Sequence, residues 1–347
     1  MKALYFPQLN KYELREVRRP ELQSETDVII KVTLTTICGS DIHLIRGSIP
    51  STLGYVLGHE YVGIVEQVGG EVRNFKRGDR VTGPPVPFCG HCRNCLDGNK
   101  THCLNAGIHG SGIERGGLSG THAEYIRVPH ADACLAHIPE ALTDEQVMFV
   151  SDILSTGYSA VERAGIKPGD TVAVFGAGPV GLCAIACARL SGASRVIAVG
   201  RADSFRLEMA KRLGATDIIC ASCQEPVTSI RELTEGRGAD AAIEASGSEA
   251  AIQQAVRGVK INGTVSLVGI SGMPVSIPLH EVFYSNININ MGLADTGNIK
   301  RLMTLIESGQ LDLLPLITHR MGLNEIERAV DMFEKRDENV IKIVIRP

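Results

Sequence analysis

The stretch Thr171-Val-Ala-Val-Phe175, then Gly176-Ala177-Gly178-Pro179-Val180-Gly181, then an apolar, small-residue run from Leu182 to Leu190, constrains the fold more than any other part of the chain. A β-rich run that ends in G-x-G-x-x-G and opens into a helix is a strand–turn–helix unit whose glycines do separate work. One permits the tight turn, one lets the backbone approach a pyrophosphate, and one allows close helix packing, while the helix N-terminus attracts phosphate. Alone, the motif also fits an ordinary glycine turn. Its setting argues for more, because β-rich runs recur at 195–199, 217–220, 240–245, 264–268 and 287–291, with helical stretches between the earlier ones. Such alternation predicts an α/β fold with a Rossmann-type doubly wound parallel sheet and a dinucleotide on the glycine loop.

The end of the second β-rich run bears on which dinucleotide. An NAD site places an acidic residue there, roughly twenty residues past the glycine loop, to grip the ribose hydroxyls. This chain has Gly200 followed by Arg201. Loss of the carboxylate removes repulsion for a 2′-phosphate, and a guanidinium binds phosphate through charge-assisted hydrogen bonds. The expectation is NADP(H) over NAD(H). The alternative is a solvated Arg201 with Asp203 serving the ribose.

A second constraint comes from Cys89, Cys92, Cys95 and Cys103, spaced C-x-x-C-x-x-C-x7-C in a loop rich in Gly, Asn and His. Four such thiols suit a closed tetrahedral zinc site; the competing readings are disulfides or spare core cysteines. The N-terminal residues lack the apolar run and cleavage site of a secretory signal, so a reducing cytoplasm is expected, where disulfides are rare. Cys183, Cys187, Cys220 and Cys223 are expected to be small core hydrophobes. A formal net charge of -4 offers no basic field for nucleic acid, which argues against a zinc-finger DNA reader. No apolar run is long enough to span a membrane. A length of 347 residues, 44% of them hydrophobic, suggests two domains with real cores.

The first third supplies Cys38-Gly-Ser40-Asp41-Ile-His43 after an apolar strand, and Gly58-His59-Glu60 at the head of a run that continues through Gly63 and Gly69 to Val72. Taken singly, Cys38 fits a buried thiol and His59 a core histidine. Together they offer one soft and one borderline metal ligand. The segment Gly58–Val72 fits G-H-E-x-x-G-x5-G-x-x-V throughout. With the four-cysteine lobe and the glycine loop in the same order, the whole chain resembles the zinc-dependent medium-chain dehydrogenases, the alcohol and polyol dehydrogenase superfamily.

That resemblance implies a β-rich, GroES-like catalytic domain over 1–152, a dinucleotide-binding domain over 153–293 and a return to the catalytic domain over 294–347, with the active site in the cleft between them. It implies Cys38 and His59 as catalytic zinc ligands and Glu60 as a neighbour of the metal. Many members add a cysteine just before the cofactor domain; this chain has Asp152 there, as in the subgroup that includes bacterial secondary-alcohol dehydrogenases. A helix N-cap is the competing role for Asp152. Ser40 resembles the family's relay hydroxyl and His43 its outer proton acceptor, while Asp41 matches the group that steadies the zinc-bound histidine; turn formation is the other reading of Ser40 and Asp41. Ser246-Gly247, Gly269-Ile270 and Lys342 fall where the family contacts the cofactor. The expected protein is a cytoplasmic enzyme, a dimer or tetramer, that moves hydride between NADP(H) and a small secondary alcohol or its ketone and holds two zinc ions per chain. The alternatives are an NAD-linked polyol or aldehyde dehydrogenase and a non-catalytic zinc- and nucleotide-binding scaffold.

Overall fold

The computed structural model describes residues 1–201 and 204–347. Contacts divide the chain into two compact units, Thr156–Ala294 and a second made of Met1–Ser155 with Asp295–Pro347.

The unit Thr156–Ala294 is built on a six-stranded sheet. In chain order its strands are Thr171–Phe175, Arg195–Gly200, Asp217–Cys220, Ala239–Glu244, Val259–Leu267 and Asn288–Met291, and across the sheet they lie in the order 3-2-1-4-5-6. Every pairing is parallel; Val172 sits opposite Val196 on one side and Ala241 on the other. Residues 172–175 are buried, as expected of a central strand covered on both faces. The fifth strand starts well before the run at 264–268, because a bulge at 260–263, with Asn262 at φ +59°, carries the pairing back to Val259. Helix Pro179–Leu190 follows the glycine loop with Pro179 in its first turn, where the missing N–H costs nothing. Its residues from Gly181 to Ala188 are all buried, which the small side chains permit.

The other unit contains a seven-stranded sheet. Strands Ile317–Gly322, Lys342–Arg346, Val28–Thr36, Tyr61–Val68, Arg80–Thr82 and Ala136–His137 are neighbours in that order, and Tyr125–Val128 pairs with Val28–Thr36. A three-stranded sheet joins Lys11–Glu16, Lys2–Gln8 and Tyr55–Val56. Val28, Ile30, Val32, Tyr61, Val65 and Ile126 form one core cluster, in keeping with strands that alternate inward apolar residues. The fold is thus α/β, a Rossmann-type parallel sheet plus a β-rich GroES-like unit.

Two of the cysteines expected in the core are elsewhere. Cys183 and Cys187 are buried, but Cys220 is half-buried, Cys223 is exposed, and the two are bonded to each other at the end of the third parallel strand. An edge strand covers less of its end than a central one, so the turn after it is open to solvent.

Gly181 shows how closely the glycine loop is packed: a Cβ there would lie 1.8 Å from the carbonyl oxygen of Gly176. Because backbone cannot yield as a flexible side chain does, Gly181→Ala should lower stability by about 1–3 kcal/mol. Chemical denaturation should show an earlier transition; an unchanged midpoint would contradict this packing.

Candidate functional site

Helix Gly39–Ile45 begins where the central strand Val28–Thr36 runs out, and Cys38 is the residue before its first turn. The Asp41 carboxylate accepts the Cys38 backbone N–H at 2.9 Å, so the helix start fixes the thiol and the carboxylate together. His59 comes from the segment preceding strand Tyr61–Val68, which pairs with the same central strand. Asp152 immediately precedes helix Ile153–Ala164. These elements bring one ligand-type atom each from Cys38, His59, Glu60 and Asp152 within 4.8 Å of one another.

The shorter separations are those of a metal's coordination shell. Cys38 Sγ is 3.6 Å and His59 Nε2 3.4 Å from Asp152 Oδ2. Tetrahedral zinc bonds of roughly 2.0–2.3 Å place neighbouring ligand atoms about 3.3–3.8 Å apart. A buried Glu60 oxygen, Oε2, has no hydrogen-bond partner, which leaves an acceptor free beside the cluster. The donor set of one thiol, one imidazole and carboxylates fits zinc.

The imidazole of His59 is held from behind. Its Nδ1 is 3.3 Å from Asp41 Oδ1, and Nε2 faces Asp152 and the Ser40 hydroxyl at 3.2 Å. Asp41 also meets His122, whose Nε2 is 3.3 Å from Oδ2, and His122 Nδ1 lies 3.0 Å from Thr35 Oγ1. Burial pushes the Asp41 carboxyl up, but the His59 and His122 imidazoles outweigh burial and hold it well below the usual carboxylate range. Burial opposes a proton on His59; Asp41 and Asp152 overcome it and raise the imidazole well above its ordinary value. His43, half-buried in the same helix as Asp41, is lowered by burial and by Arg46. Ser40 lies against His59, and no hydrogen bond joins it to His43.

Lys342 departs from the expectation of a cofactor contact. Its side chain is fully buried; Nζ donates to Glu60 Oε1 at 2.5 Å and to the Ile37 carbonyl at 2.9 Å. With its ammonium occupied by these buried partners, Lys342 has no face open to a ligand. Glu60 is pushed up to about 7 by burial, with Lys342 pulling it down and Asp152 adding to the rise.

Cys89, Cys92, Cys95 and Cys103 converge in the same way, their sulfurs within 4.8 Å of one another. Cys92 and Cys103 are 4.0 Å apart, near the about 3.8 Å expected of sulfurs sharing a tetrahedral zinc. Backbone N–H groups point at the sulfurs: Cys92 N at Cys89, Cys89 N at Cys103, and Leu104 N at Cys92. Donors so placed favour thiolate, and the N–H groups of Leu104 and Cys95 bring Cys92 down to about 6.

In the parallel-sheet unit, Gly176 has φ +102° and Gly178 precedes the helix that Pro179, Val180 and Gly181 begin. Among the described residues, a Cβ on Gly178 would meet only Arg206 Nη1, at 4.0 Å. A Cβ on Gly200 would lie 2.9 Å from Leu207 Cδ2, so an acidic side chain at that position would require Leu207 to move. Arg201 is exposed beside it. Asp203, the alternative partner for a ribose, lies outside the described residues. Ser246 and Gly247 turn around buried Glu244, which accepts both backbone N–H groups, at 2.7 and 3.0 Å. Gly269 packs on this turn, since a Cβ there would be 2.2 Å from Gly247 N, and Ile270 is exposed.

His122, Thr35, Glu244 and Arg206 carry no sequence signal of their own. His122 sits in Gly120-Thr121-His122, far along the chain from Asp41, and only the pairing of strands brings them together. Arg206 looks like an ordinary helix-surface arginine, yet it is buried with its guanidinium near the glycine loop.

Comparison with known proteins agrees with this architecture. Residues 24–140 match the alcohol dehydrogenase GroES-like domain family, and residues 179–308 match the zinc-binding dehydrogenase family. An alcohol dehydrogenase of Cupriavidus necator is 38% identical, with 100% of this chain and 99% of that protein covered. The NADP-dependent isopropanol dehydrogenase of Thermoanaerobacter brockii is 35% identical over 92% of each chain. The solved alcohol dehydrogenase of Thermus sp. ATN1 superimposes with a TM-score of 0.94 at 37% identity, covering 100% of this chain and 99% of its own. The chain belongs to the zinc-dependent medium-chain dehydrogenase family and is an oxidoreductase that acts on alcohols.

Proposed function

We propose that the chain interconverts small secondary alcohols and ketones with NADP(H), using a catalytic zinc held by Cys38, His59 and Asp152 and a structural zinc held by Cys89, Cys92, Cys95 and Cys103. The observation that carries this reading is the convergence of Cys38, His59 and Asp152 at coordination-shell separations on a histidine anchored by buried Asp41. Zinc with three protein ligands supplies Lewis-acid polarisation of the substrate oxygen. Asp41 keeps the proton of the neutral His59 ring on Nδ1, which turns the Nε2 lone pair toward Cys38 and Asp152. Lys342 holds Glu60 at its Oε1, so that Oε2 remains beside the cluster.

Ser40 Oγ lies 3.2 Å from His59 Nε2 and is suited to take the alcohol's proton while passing its own onward. His43 serves as the outer acceptor, because burial and Arg46 favour its neutral form. A proton crossing from Ser40 to His43 needs an intervening donor–acceptor group, since the two side chains do not touch by hydrogen bond. The nicotinamide cofactor supplies or accepts the hydride. Gly176, Gly178, Pro179, Val180 and Gly181 cradle its pyrophosphate at the helix N-terminus, and Ser246, Gly269 and Ile270 flank it at the ends of later strands. Gly200 puts no negative charge beside a 2′-phosphate, which Arg201 binds.

The isopropanol dehydrogenase relative favours a secondary alcohol and NADP. We place the enzyme in the cytoplasm and infer a homo-oligomer, supported by the exposed apolar side chains Phe283, Tyr284, Met291 and Leu293 in and around the edge strand Asn288–Met291. Among the described residues, no helix is long and apolar enough to cross a membrane.

Metal analysis should find about two zinc ions per chain. Asp152→Ala should lower that toward one and cut the rate of isopropanol oxidation by about a hundredfold or more; full zinc and full activity would remove Asp152 from the ligand set. Zinc affinity at this site should rise with pH through the neutral range, by about tenfold per unit for each proton displaced from the ligands. The sign follows from His59: its raised value means the metal-free imidazole keeps its proton at neutral pH, and zinc must expel it. Competition titrations between a chromophoric chelator and the protein at several pH values would show this, and a flat profile would contradict it. Arg201→Ala should weaken NADPH binding by about tenfold or more while leaving NADH nearly unaffected; equal losses for both cofactors would oppose the 2′-phosphate role.

A further inference from the structure

We propose that Cys220 and Cys223 are a reversible dithiol–disulfide pair that controls how tightly the adjoining Gly200–Arg201 segment holds the ribose end of the nicotinamide cofactor. This rests on the reading of that segment as the cofactor's ribose contact.

The pair differs from the other cysteines in its surroundings. Cys134, Cys183 and Cys187 are buried and form no disulfide, whereas Cys223 is exposed and already bonded to half-buried Cys220 across a C-x-x-C turn. Its strand, Asp217–Cys220, is an edge strand whose one neighbour is Arg195–Gly200, so a reagent can reach the turn from the open side. In a reducing compartment such pairs are transient or redox-sensing rather than structural.

The coupling to the cofactor segment is short. Cys220 stands opposite Gly200 in the parallel register, and the Ala221 N–H donates to the Gly200 carbonyl at 2.7 Å. Ser222, between the two cysteines, donates from Oγ to the Arg201 carbonyl at 3.4 Å, and the same hydroxyl lies 3.3 Å from Cys220 Sγ and 3.9 Å from Cys223 Sγ. The Cys223 N–H closes the turn on the Cys220 carbonyl at 2.9 Å. With the disulfide formed, the turn has few conformations and holds the Arg201 backbone; with it reduced, the chain regains freedom at that contact.

The redox partner is a low-molecular-weight disulfide. The exposed Cys223 thiolate attacks one of its sulfurs and releases the first small thiol. The Cys220 thiolate then attacks the mixed disulfide at Cys223 and releases the second. The two protein thiols lose two electrons and two protons, the small disulfide gains both, and an excess of a dithiol such as dithiothreitol reverses the exchange. By linkage, whatever factor oxidation adds to cofactor affinity, bound cofactor adds to the stability of the disulfide.

Trypsin releases both residues on one peptide, Leu213 to Arg231, which contains no other cysteine. The full-length, zinc-loaded protein is equilibrated in glutathione buffers of graded ratio, alkylated, digested and weighed, with NADPH and NADH binding titrated in parallel. The expected result is a peptide that passes between disulfide and doubly alkylated forms with zinc retained. Reduced protein should bind NADPH about fivefold or more weakly than oxidised protein, a difference abolished in Cys220→Ser with Cys223→Ser. A peptide that stays doubly alkylated in oxidised glutathione, or equal NADPH affinity in the two states, overturns the proposal. Arg201→Ala separates the underlying reading: unchanged NADPH affinity in that variant removes the ribose assignment, while an unresponsive peptide removes the redox pair alone.

Discussion

The buried carboxylate of Asp41 is the contact on which the metal site depends. It accepts the N–H of Cys38, faces His59 on one oxygen and His122 on the other, and is 1% exposed. His122 in turn meets Thr35 on the central strand, and Thr35 donates to the Glu60 carbonyl at 2.8 Å. A single charged group thereby registers a helix start, a strand and two loops. Taking one partner out of such a buried set costs about 3–5 kcal/mol, because the remaining charge stays out of water. The same expense explains why the ligand side chains keep their positions: a His59 ring turned away would take from Asp41 one of its two imidazole neighbours.

A second buried pair, Glu60 with Lys342, extends this frame to the C-terminal part of the chain. Both side chains are fully buried, and the Lys342 ammonium also meets the Ile37 carbonyl next to Cys38. The last strand therefore reaches the ligand set through a charge, which a strand position and a basic residue do not reveal. Sequence position alone favoured a cofactor contact for Lys342. The three-dimensional neighbour, a buried carboxylate 282 residues away, is what assigns it.

Much of the architecture was legible because it is local. The glycine loop, the helix after it and the runs of β-branched residues around it depend on periodicity and turn chemistry within a few residues, and their ends moved by a few positions where pairing took over, as at the bulge before Thr264. The four thiols were legible for the same reason: a short spacing needs little chain geometry to converge. What was not legible depends on strand order. His122 reaches Asp41 across 81 residues, Arg206 is buried beside a loop that precedes it by a helix and a strand, and Cys220 and Cys223 were read as core because their exposure is set by the sheet edge rather than by their own hydrophobicity. The two metal clusters also divide the work. The four-thiol loop is closed, with every ligand a sulfur and backbone N–H groups supporting the charge, so it favours a fixed shape. With zinc bound as proposed, the Cys38–His59–Asp152 set would leave a fourth position for substrate.

The chain is proposed to hold two chemically different zinc environments, one all-sulfur and one mixed. X-ray absorption at the zinc edge of the fully loaded protein tests it most directly. The expected spectrum gives an average of about 2.5 sulfur neighbours per zinc, from four at one site and one at the other, with nitrogen or oxygen making up the remainder. A shell of four sulfurs alone would mean that Cys38, His59 and Asp152 hold no zinc, and would contradict it.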